Sequence, residues 1–432
     1  MAETPAETTP QPTPTQPRHY LRNYFRDLGP GLITGAADDD PSGISTYSIT
    51  GATFGITALW TALFSFPLMS AVQLMCARLG IVTGRGLASN IRIHYPKWVM
   101  WGSCALLLIA NIFNIGADLA GMGDAMQLVT GVKSVVWSPI IALALVATVV
   151  FASYRMIASI FKWLTLVLFA YVITAFLAKP DWTHVLRATI VPQIQWTPEY
   201  FGVLVGIFGT TISPYLFFWQ SSQEVEEERS IGRNTVAKRM GATDEEVRKS
   251  RRDTLTGMFF SNLVMYFIIL TTAATLHAHG LTNIQTAKDA AEALRPLAGN
   301  GAYLLFTLGI IGTGMLAVPV LAGSSAYAVA ESAAWGASMD RPLKVTPKFY
   351  AVLATAVAIG MVLDFAGFNS VRMLFLSAIL NGLLAPPLIV LVILLTNSQK
   401  VMGDRKNGPV IQGLGWICAA VMAACGIAMF VT

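Results

Sequence analysis

The chain has 432 residues, of which 54% are hydrophobic and only 12% are charged, and its formal net charge is +5. A soluble domain carries about 25% charged residues, so this composition excludes an ordinary soluble protein and predicts membrane-spanning helices. The excess of basic residues does not indicate nucleic-acid binding, because these residues lie between apolar segments and mostly on one predicted side of a membrane.

The chain begins with a polar stretch, residues 1–17, that is rich in proline and threonine. It has neither the basic start nor the apolar core of a cleaved signal peptide. We therefore expect residues 1–25 to form a disordered cytoplasmic tail. Residues 26–400 are predicted to form the core of the protein, and residues 401–432 to add one further membrane helix.

Eleven apolar segments follow the tail, each of about the length that crosses a bilayer as a helix. They lie near residues 29–54, 56–80, 98–130, 134–154, 157–178, 200–223, 254–279, 301–333, 347–367, 370–396 and 409–431. With the N-terminus in the cytoplasm, 23 of the 29 lysines and arginines fall on the inner side. This bias predicts a cytoplasmic N-terminus, an outer C-terminus and a location in the cell (inner) membrane.

The first segment is interrupted by "DDDPSG", in which Asp38, Asp39 and Asp40 precede Pro41. Proline lacks an N–H group and disfavours helix at the residue before it, so the helix should unwind and free carbonyl oxygens. An aspartate at this depth is costly unless it is paired or hydrated, which makes it a functional candidate. The alternative is that residues 38–40 form a cytoplasmic loop before a shorter span.

The sixth segment is interrupted in the same way at Pro214, within "GTTISPYL". The second break lies five spans after the first, an odd offset, so the second half of the chain is predicted to repeat the first with inverted topology. This pattern predicts an all-α membrane protein with a LeuT-like 5+5 inverted repeat, discontinuous helices 1 and 6, and an added eleventh helix. Unwound carbonyl oxygens beside a carboxylate are suited to a hard cation.

Further polar residues lie within or next to the predicted spans. Asp118, in the third span, could reach the first break or form a buried pair with a basic residue. Asn381, in the tenth span, is a weaker candidate for the same site. The acidic run at 224–228 follows the sixth span and could collect released cations, but we expect it to be a solvated helix end.

These motifs, in this order and spacing, resemble those of the NRAMP family of divalent-metal transporters. The family has Gly-Pro-Gly and then Asp-Pro-Gly-Asn in its first helix, where this chain has residues 29–31 and Asp-Pro-Ser-Gly at 40–43. Its Met-Pro-His in helix six corresponds to Ser-Pro-Tyr at 213–215. Its Asp-Leu-Ala-Glu in helix three corresponds to Asp-Leu-Ala-Gly at 118–121.

The resemblance implies that Asp40 is a metal ligand, although a cap on the following half-helix is the alternative role for this side chain. It further implies that the carbonyl of Thr210 helps to bind the ion. The family's asparagine ligand is replaced by Gly43 and its methionine by Ser213. Loss of the soft thioether removes a preference for transition metals. Asp38 and Asp39 remain candidates for an inner vestibule, a backbone cap or direct ligation.

The proton route of the family is altered as well, because Tyr215 replaces its histidine and Gly121 its glutamate. The chain is most similar to the NRAMP-related magnesium transporters, the NRMT branch. This implies an importer of Mg²⁺, and also of Mn²⁺, by alternating access with weak or no proton coupling, no cofactor and a monomeric state. The alternatives are a proton-coupled Mn²⁺/Fe²⁺ symporter and a sodium-coupled symporter of an organic substrate.

Overall fold

The computed structural model describes residues 29–151 and 166–432, and within these ranges every regular element is a helix. The predicted tail and most of the first half of the predicted fifth span lie outside the described residues. The α-helices are α1 (Pro30–Asp38), α2 (Pro41–Phe54), α3 (Trp60–Thr83), α4 (Leu87–His94), α5 (Lys97–Thr130), α6 (Ser134–Phe151), α7 (Phe169–Leu177), α8 (Trp182–Ile190), α9 (Pro198–Thr211), α10 (Pro214–Ser230), α11 (Val236–Arg239), α12 (Asp244–Thr275), α13 (Ala287–Ala291), α14 (Arg295–Ala298), α15 (Ala302–Ser332), α16 (Pro347–Asp364), α17 (Ser370–Asn397), α18 (Gln399–Met402) and α19 (Pro409–Val431). Short 3₁₀ turns occupy Gly55–Ala58, Leu166–Leu168, His277–His279, Glu292–Leu294, Gly299–Gly301 and Gly403–Arg405.

Nine helical stretches within the described ranges are long and apolar enough to cross a membrane. The predicted first span is not among the nine; it consists of α1 and α2, of 9 and 14 residues. The predicted fifth span is only partly described, as the 3₁₀ turn at Leu166–Leu168 and α7. The all-helical character of the fold is thus confirmed for the described part of the chain.

The two broken helices lie at the centre of the bundle. Helix α1 packs along α12, helix α9 packs along α17, and α5 packs against both α15 and α17. The helix backbones approach closely where glycines meet: a Cβ atom on Gly35 would lie 2.3 Å from the carbonyl of Gly257, and one on Gly209 would lie 1.9 Å from that of Ala378. Small residues at such crossings let membrane helices pack backbone to backbone.

Asp253 of α12 holds the start of α1 in place. Its carboxylate accepts hydrogen bonds from the backbone N–H groups of Gly29 (2.9 Å), Gly31 (2.6 Å) and Leu32 (3.1 Å). These N–H groups have no partner within their own helix, since the first turn of any helix leaves its donors free. A carboxylate at this end also complements the helix dipole. Asp253 therefore acts as a cap supplied by a neighbouring helix.

Candidate functional site

The first break lies where the sequence predicts it. Helix α1 ends at Asp38 and α2 begins at Pro41, with Asp39 and Asp40 in non-helical conformations between them. Asp40 caps α2: its Oδ1 accepts the N–H of Gly43 (2.7 Å) and the hydroxyl of Ser42 (2.7 Å). The side chain is only 2% exposed. The interpretation of residues 38–40 as a loop preceding the span is therefore wrong, because all three are buried.

The second break is also present: α9 ends at Thr211 and α10 begins at Pro214. The hydroxyl of Ser213 donates to the carbonyls of Gly209 and Thr210, both at 2.7 Å. The predicted carbonyl of Thr210 and the hydroxyl of Ser213 are thus in direct contact. Both oxygens keep unused lone pairs, so this hydrogen bond does not prevent either from facing an ion.

Two tyrosines connect the breaks. Thr210 donates its hydroxyl to the phenolic oxygen of Tyr47 in α2 (2.9 Å), and Tyr215 in α10 donates to the carbonyl of Ala37 near the end of α1 (2.9 Å). Each half of one broken helix therefore bonds to a half of the other. Tyr215, which stands where the related family has a histidine, satisfies a carbonyl near the open end of α1.

Asp38 and Asp39 face α12. The hydroxyl of Ser261 lies 2.6 Å from Asp38 Oδ2 and 3.4 Å from Asp39 Oδ1. Both aspartates are buried, at 0% and 4% exposure, and Asp38 Oδ1 has no hydrogen-bond partner in the part of the chain that the structure describes. They contact a hydroxyl of α12, whereas Asp40 contacts its own half-helix and α5.

Helix α5 contributes Asp118 and Asn114. Asp118 is fully buried close to Asp40 and the backbone of Ser42, and neither of its oxygens accepts a hydrogen bond of ordinary geometry from the described residues. It therefore lies beside the first break, and it has no basic partner among the ion pairs of residues 29–151 and 166–432. Asn114 donates its Nδ2 to Asp40 Oδ2 at 3.0 Å. Sequence reasoning missed Asn114, although its spacing of four residues from Asp118 places both on one helix face.

The remaining candidates take different positions. Gly43 supplies its N–H to Asp40, and a Cβ there would lie 3.3 Å from the ring of Tyr47. Gly121 lets α17 approach, because a Cβ there would lie 2.9 Å from Leu374 Cδ1. Asn381 is buried in α17, and neither of its amide atoms has a hydrogen-bond partner within residues 29–151 and 166–432. No hydrogen bond of this side chain therefore connects it to either break.

The acidic run at 224–228 is not a solvated helix end, so that expectation is wrong. Three of its four glutamates are buried, namely Glu224, Glu226 and Glu228. Helix α10 continues to Ser230 and packs against α3 and α15, which encloses the run. Glu224 accepts hydrogen bonds from Gln220 (3.0 Å) and Ser250 (2.8 Å), and Gln220 in turn accepts one from Thr34 of α1 (2.5 Å).

The electrostatics of the site favour a cation. Asp38, Asp39, Asp40 and Asp118 are buried together, and none of the ion pairs found in residues 29–151 and 166–432 includes any of them. Buried carboxylates without a counter-charge are strongly unfavourable when ionised. No three acidic, histidine or cysteine side chains among the described residues converge tightly enough to hold a metal directly. The geometry instead suits an ion that has few carboxylate ligands and keeps carbonyl, hydroxyl or water oxygens.

Comparison with known proteins places this geometry in a family. Residues 31–432 match the family model described as Nramp, natural resistance-associated macrophage protein-like. The chain is 27% identical over 419 residues to the divalent metal cation transporter MntH of Yersinia enterocolitica, covering 94% of this chain and 95% of that protein. It is 25% identical over 408 residues to MntH of Klebsiella pneumoniae, covering 92% of each.

Solved structures show the same fold. The manganese transporter of Eremococcus coleocola aligns with a TM-score of 0.77 and 20% identity, over 96% of this chain and 87% of that one. Mhp1, a nucleobase-cation-symport-1 family transporter, aligns with a TM-score of 0.56 and 14% identity, over 94% and 91%. Both neighbours have the LeuT-type transporter fold. With the match to the family model covering nearly the whole chain, the protein belongs to the Nramp family.

Proposed function

We propose that this Nramp protein imports Mg²⁺, and also Mn²⁺, by alternating access, with weak or no proton coupling, as the NRMT branch of the family does. The observation that carries the proposal is the chemistry of the two breaks. Asp40, Thr210 and Ser213 offer only oxygen, and no thioether stands at the position of the family's methionine. Hard divalent ions bind oxygen, whereas a thioether favours softer transition metals.

The small number of side-chain ligands supports a partly hydrated ion. Gly43 has no side chain and Ser213 offers one hydroxyl where the family carries an asparagine and a methionine, so water would complete the shell around the cargo. Mg²⁺ releases water reluctantly and is commonly held through one or two carboxylates with several waters retained. A site in which Asp40 is the central carboxylate fits that mode of binding, and Mn²⁺ accepts the same oxygen ligands.

The weak proton coupling is inferred from Tyr215 and Gly121. Tyrosine does not titrate near neutral pH as histidine does, and the hydroxyl of Tyr215 is committed to the carbonyl of Ala37. Gly121 has no side chain to carry a proton. A membrane potential of 100 mV, negative inside, contributes about 2.3 kcal/mol per unit charge, so a divalent cation can be drawn inward without a coupled proton.

The burial of the site supports the proposal of alternating access. Asp40, Thr210 and Ser213 are each 2% exposed, so an ion reaches or leaves them only when surrounding helices move. We propose eleven membrane helices in a 5+5 inverted repeat, with residues 1–25 as a cytoplasmic tail, residues 26–400 as the core and residues 401–432 carrying the last helix. The N-terminus is proposed to be cytoplasmic, the C-terminus external and the protein a monomer in the cell membrane.

Nramp family members are metal transporters, so the chain is not an enzyme, and the metal is cargo rather than a cofactor. A proton-coupled Mn²⁺/Fe²⁺ symporter is the main alternative, and the presence of Asp118 beside Asp40 keeps it in consideration. A sodium-coupled symporter of an organic substrate fits less well. Its site commonly binds a substrate carboxylate at helix ends, and the aspartates 38–40 would repel that anion.

The test uses the full-length protein in liposomes that contain a magnesium dye and a pH dye. With a gradient of Mg²⁺ directed inward and a negative potential inside, we expect magnesium uptake without acidification, and no uptake by Asp40→Ala. Uptake of Mn²⁺ with acidification, and none of Mg²⁺, would instead establish the proton-coupled alternative.

A further inference from the structure

Asn114 of α5 contacts the central carboxylate of the site directly. It is fully buried, and its Nδ2 donates to Asp40 Oδ2 at 3.0 Å. This contact fixes how the amide is turned, since the opposite orientation would place the amide oxygen against a carboxylate oxygen. The amide oxygen therefore points away from Asp40.

That oxygen, Asn114 Oδ1, is buried and has no hydrogen-bond partner among the described residues. Buried amide oxygens are nearly always satisfied by a donor, an ordered water or a cation. Asp118 lies one helical turn further along α5, and its two carboxylate oxygens also lack a hydrogen-bond partner in the described ranges. Helix α5 thus presents three oxygen atoms without hydrogen-bond donors in the described part of the chain, one from Asn114 and two from Asp118. They lie beside the first break, where both side chains are close to the carboxylate of Asp40.

We propose that Asn114 Oδ1 contacts the transported, partly hydrated ion, so that α5 supplies the amide oxygen that the family's motif would place at Gly43. The proposal rests on the function proposed above and names a residue that determines its specificity. An amide oxygen is a hard, neutral donor, which suits Mg²⁺ and Mn²⁺ without adding a further charge to a site already rich in carboxylates. Asn114 then both orients Asp40 and ligates the cargo.

The experiment is calorimetric titration of the purified full-length protein with MgCl₂ alone, and separately with MnCl₂. Asn114→Leu keeps the branched shape of the side chain and removes its oxygen. We expect the affinity to fall by about 10–100-fold, the range seen when groups around a metal are removed. Asn114→Asp keeps an oxygen but loses the N–H donor to Asp40. We expect it to bind at least as tightly as the unmodified protein.

A rescue variant tests the same idea independently. Adding Gly43→Asn to Asn114→Leu returns an amide to the position that the family uses, and we expect it to recover most of the lost affinity. Asn111→Leu is the matched control, because Asn111 is equally buried in α5 but bonds to Leu321, Ser324 and Ser325 instead of Asp40. It should leave the affinity unchanged. Thermal unfolding of every variant confirms that it is folded.

The outcomes separate two failures. Equal weakening by Asn114→Asp and Asn114→Leu would mean that Asn114 only positions Asp40, and unchanged affinity in Asn114→Leu would remove it from the site; either result overturns this inference. Absence of Mg²⁺ and Mn²⁺ binding in the unmodified protein, or normal binding in Asp40→Ala, would instead overturn the proposed function itself.

Discussion

The cap that Asp253 places on α1 predicts how strongly this short half-helix is held. We expect Asp253→Ala to loosen α1 selectively, because three backbone N–H groups, those of Gly29, Gly31 and Leu32, lose their acceptor. Asp253→Asn keeps the shape of the side chain and one acceptor oxygen but loses the negative charge. Its effect should be intermediate.

The magnitude follows from the role of a cap. Removing a capping side chain costs about 0.5–2 kcal/mol, and a carboxylate at a helix N-terminus contributes a further ~0.3–2 kcal/mol when it is partly buried. Asp253 is 3% exposed and accepts three backbone hydrogen bonds from the start of α1. We therefore expect Asp253→Ala to cost about 2 kcal/mol. This corresponds to about a 30-fold increase in the equilibrium constant for local opening of α1. For Asp253→Asn about 1 kcal/mol, or about fivefold, is expected.

Hydrogen–deuterium exchange with mass spectrometry measures this opening on the full-length protein in nanodiscs. Exchange of amides in residues 30–38 should accelerate by these factors, since protection reports the free energy of local opening. Asp244→Ala is the matched control. Asp244 begins the same helix as Asp253, but it lies at the surface, where it pairs with Arg405. It should leave exchange in α1 unchanged.

Unchanged exchange of residues 30–38 in a folded Asp253→Ala variant would refute the assignment of Asp253 as the cap of α1. Acceleration that extends equally to α19 would also contradict the reasoning, since it would show a global loss of stability. The prediction requires a response confined to α1 and the elements that touch it.

Three further predictions concern the site and its packing. Ser213→Met should raise the affinity for Cd²⁺ relative to Mg²⁺ by about tenfold, since it restores a soft ligand. Calorimetric titration with salts of both ions checks this, and an equal change in affinity for both ions would contradict it. Tyr215→His should make Mg²⁺ uptake fall as the pH drops below ~6.5, where imidazole gains a positive charge that repels the cargo. The unmodified protein should show no such fall in liposome flux between about pH 6 and 8. A flat pH profile for the variant would show that residue 215 does not lie beside the path of the ion. Gly209→Ala should destabilise the protein by about 1–3 kcal/mol through overpacking against α17. Gly102→Ala should not destabilise it, because no atom of the described residues that could clash lies within 4 Å of the added Cβ. Thermal unfolding compares the two variants.

The two breaks could be predicted from sequence because their cause is local. Proline at 41 and 214 removes a backbone donor and restricts the residue before it, wherever the rest of the chain packs. Asp40 is proposed as a metal ligand because its motif, directly before Pro41, resembles that of the family. Its role as cap of α2 and its burial are likewise consequences of the break, and the structure has both.

Asn114 and Asp253 could not be predicted in the same way, because their roles depend on how distant helices pack. Asp253 bonds to residues more than 220 positions away in the chain. Asn114 reaches Asp40 only because α5 presents that face to the first break, and an asparagine in an apolar segment has many possible partners. The burial of Glu224 could not be predicted for a related reason. A run of glutamates suggests exposure to solvent, but the packing of α10 against α3 and α15 encloses it.

The seam between α1 and α12 has a mechanical consequence. Near Gly31, Gly35 and Gly257 the helices meet through backbone atoms, with no room for a single added carbon. Two helices whose side chains interdigitate separate only when those side chains change rotamer. Helices that meet through glycine backbone atoms can separate without any change of rotamer. Parting at these glycines would then be a rigid-body step, resisted mainly by hydrogen bonds at the two ends of the seam, those of Asp253 with the start of α1 and that of Ser261 with Asp38. Two helices that meet in this way can separate and return in the same register.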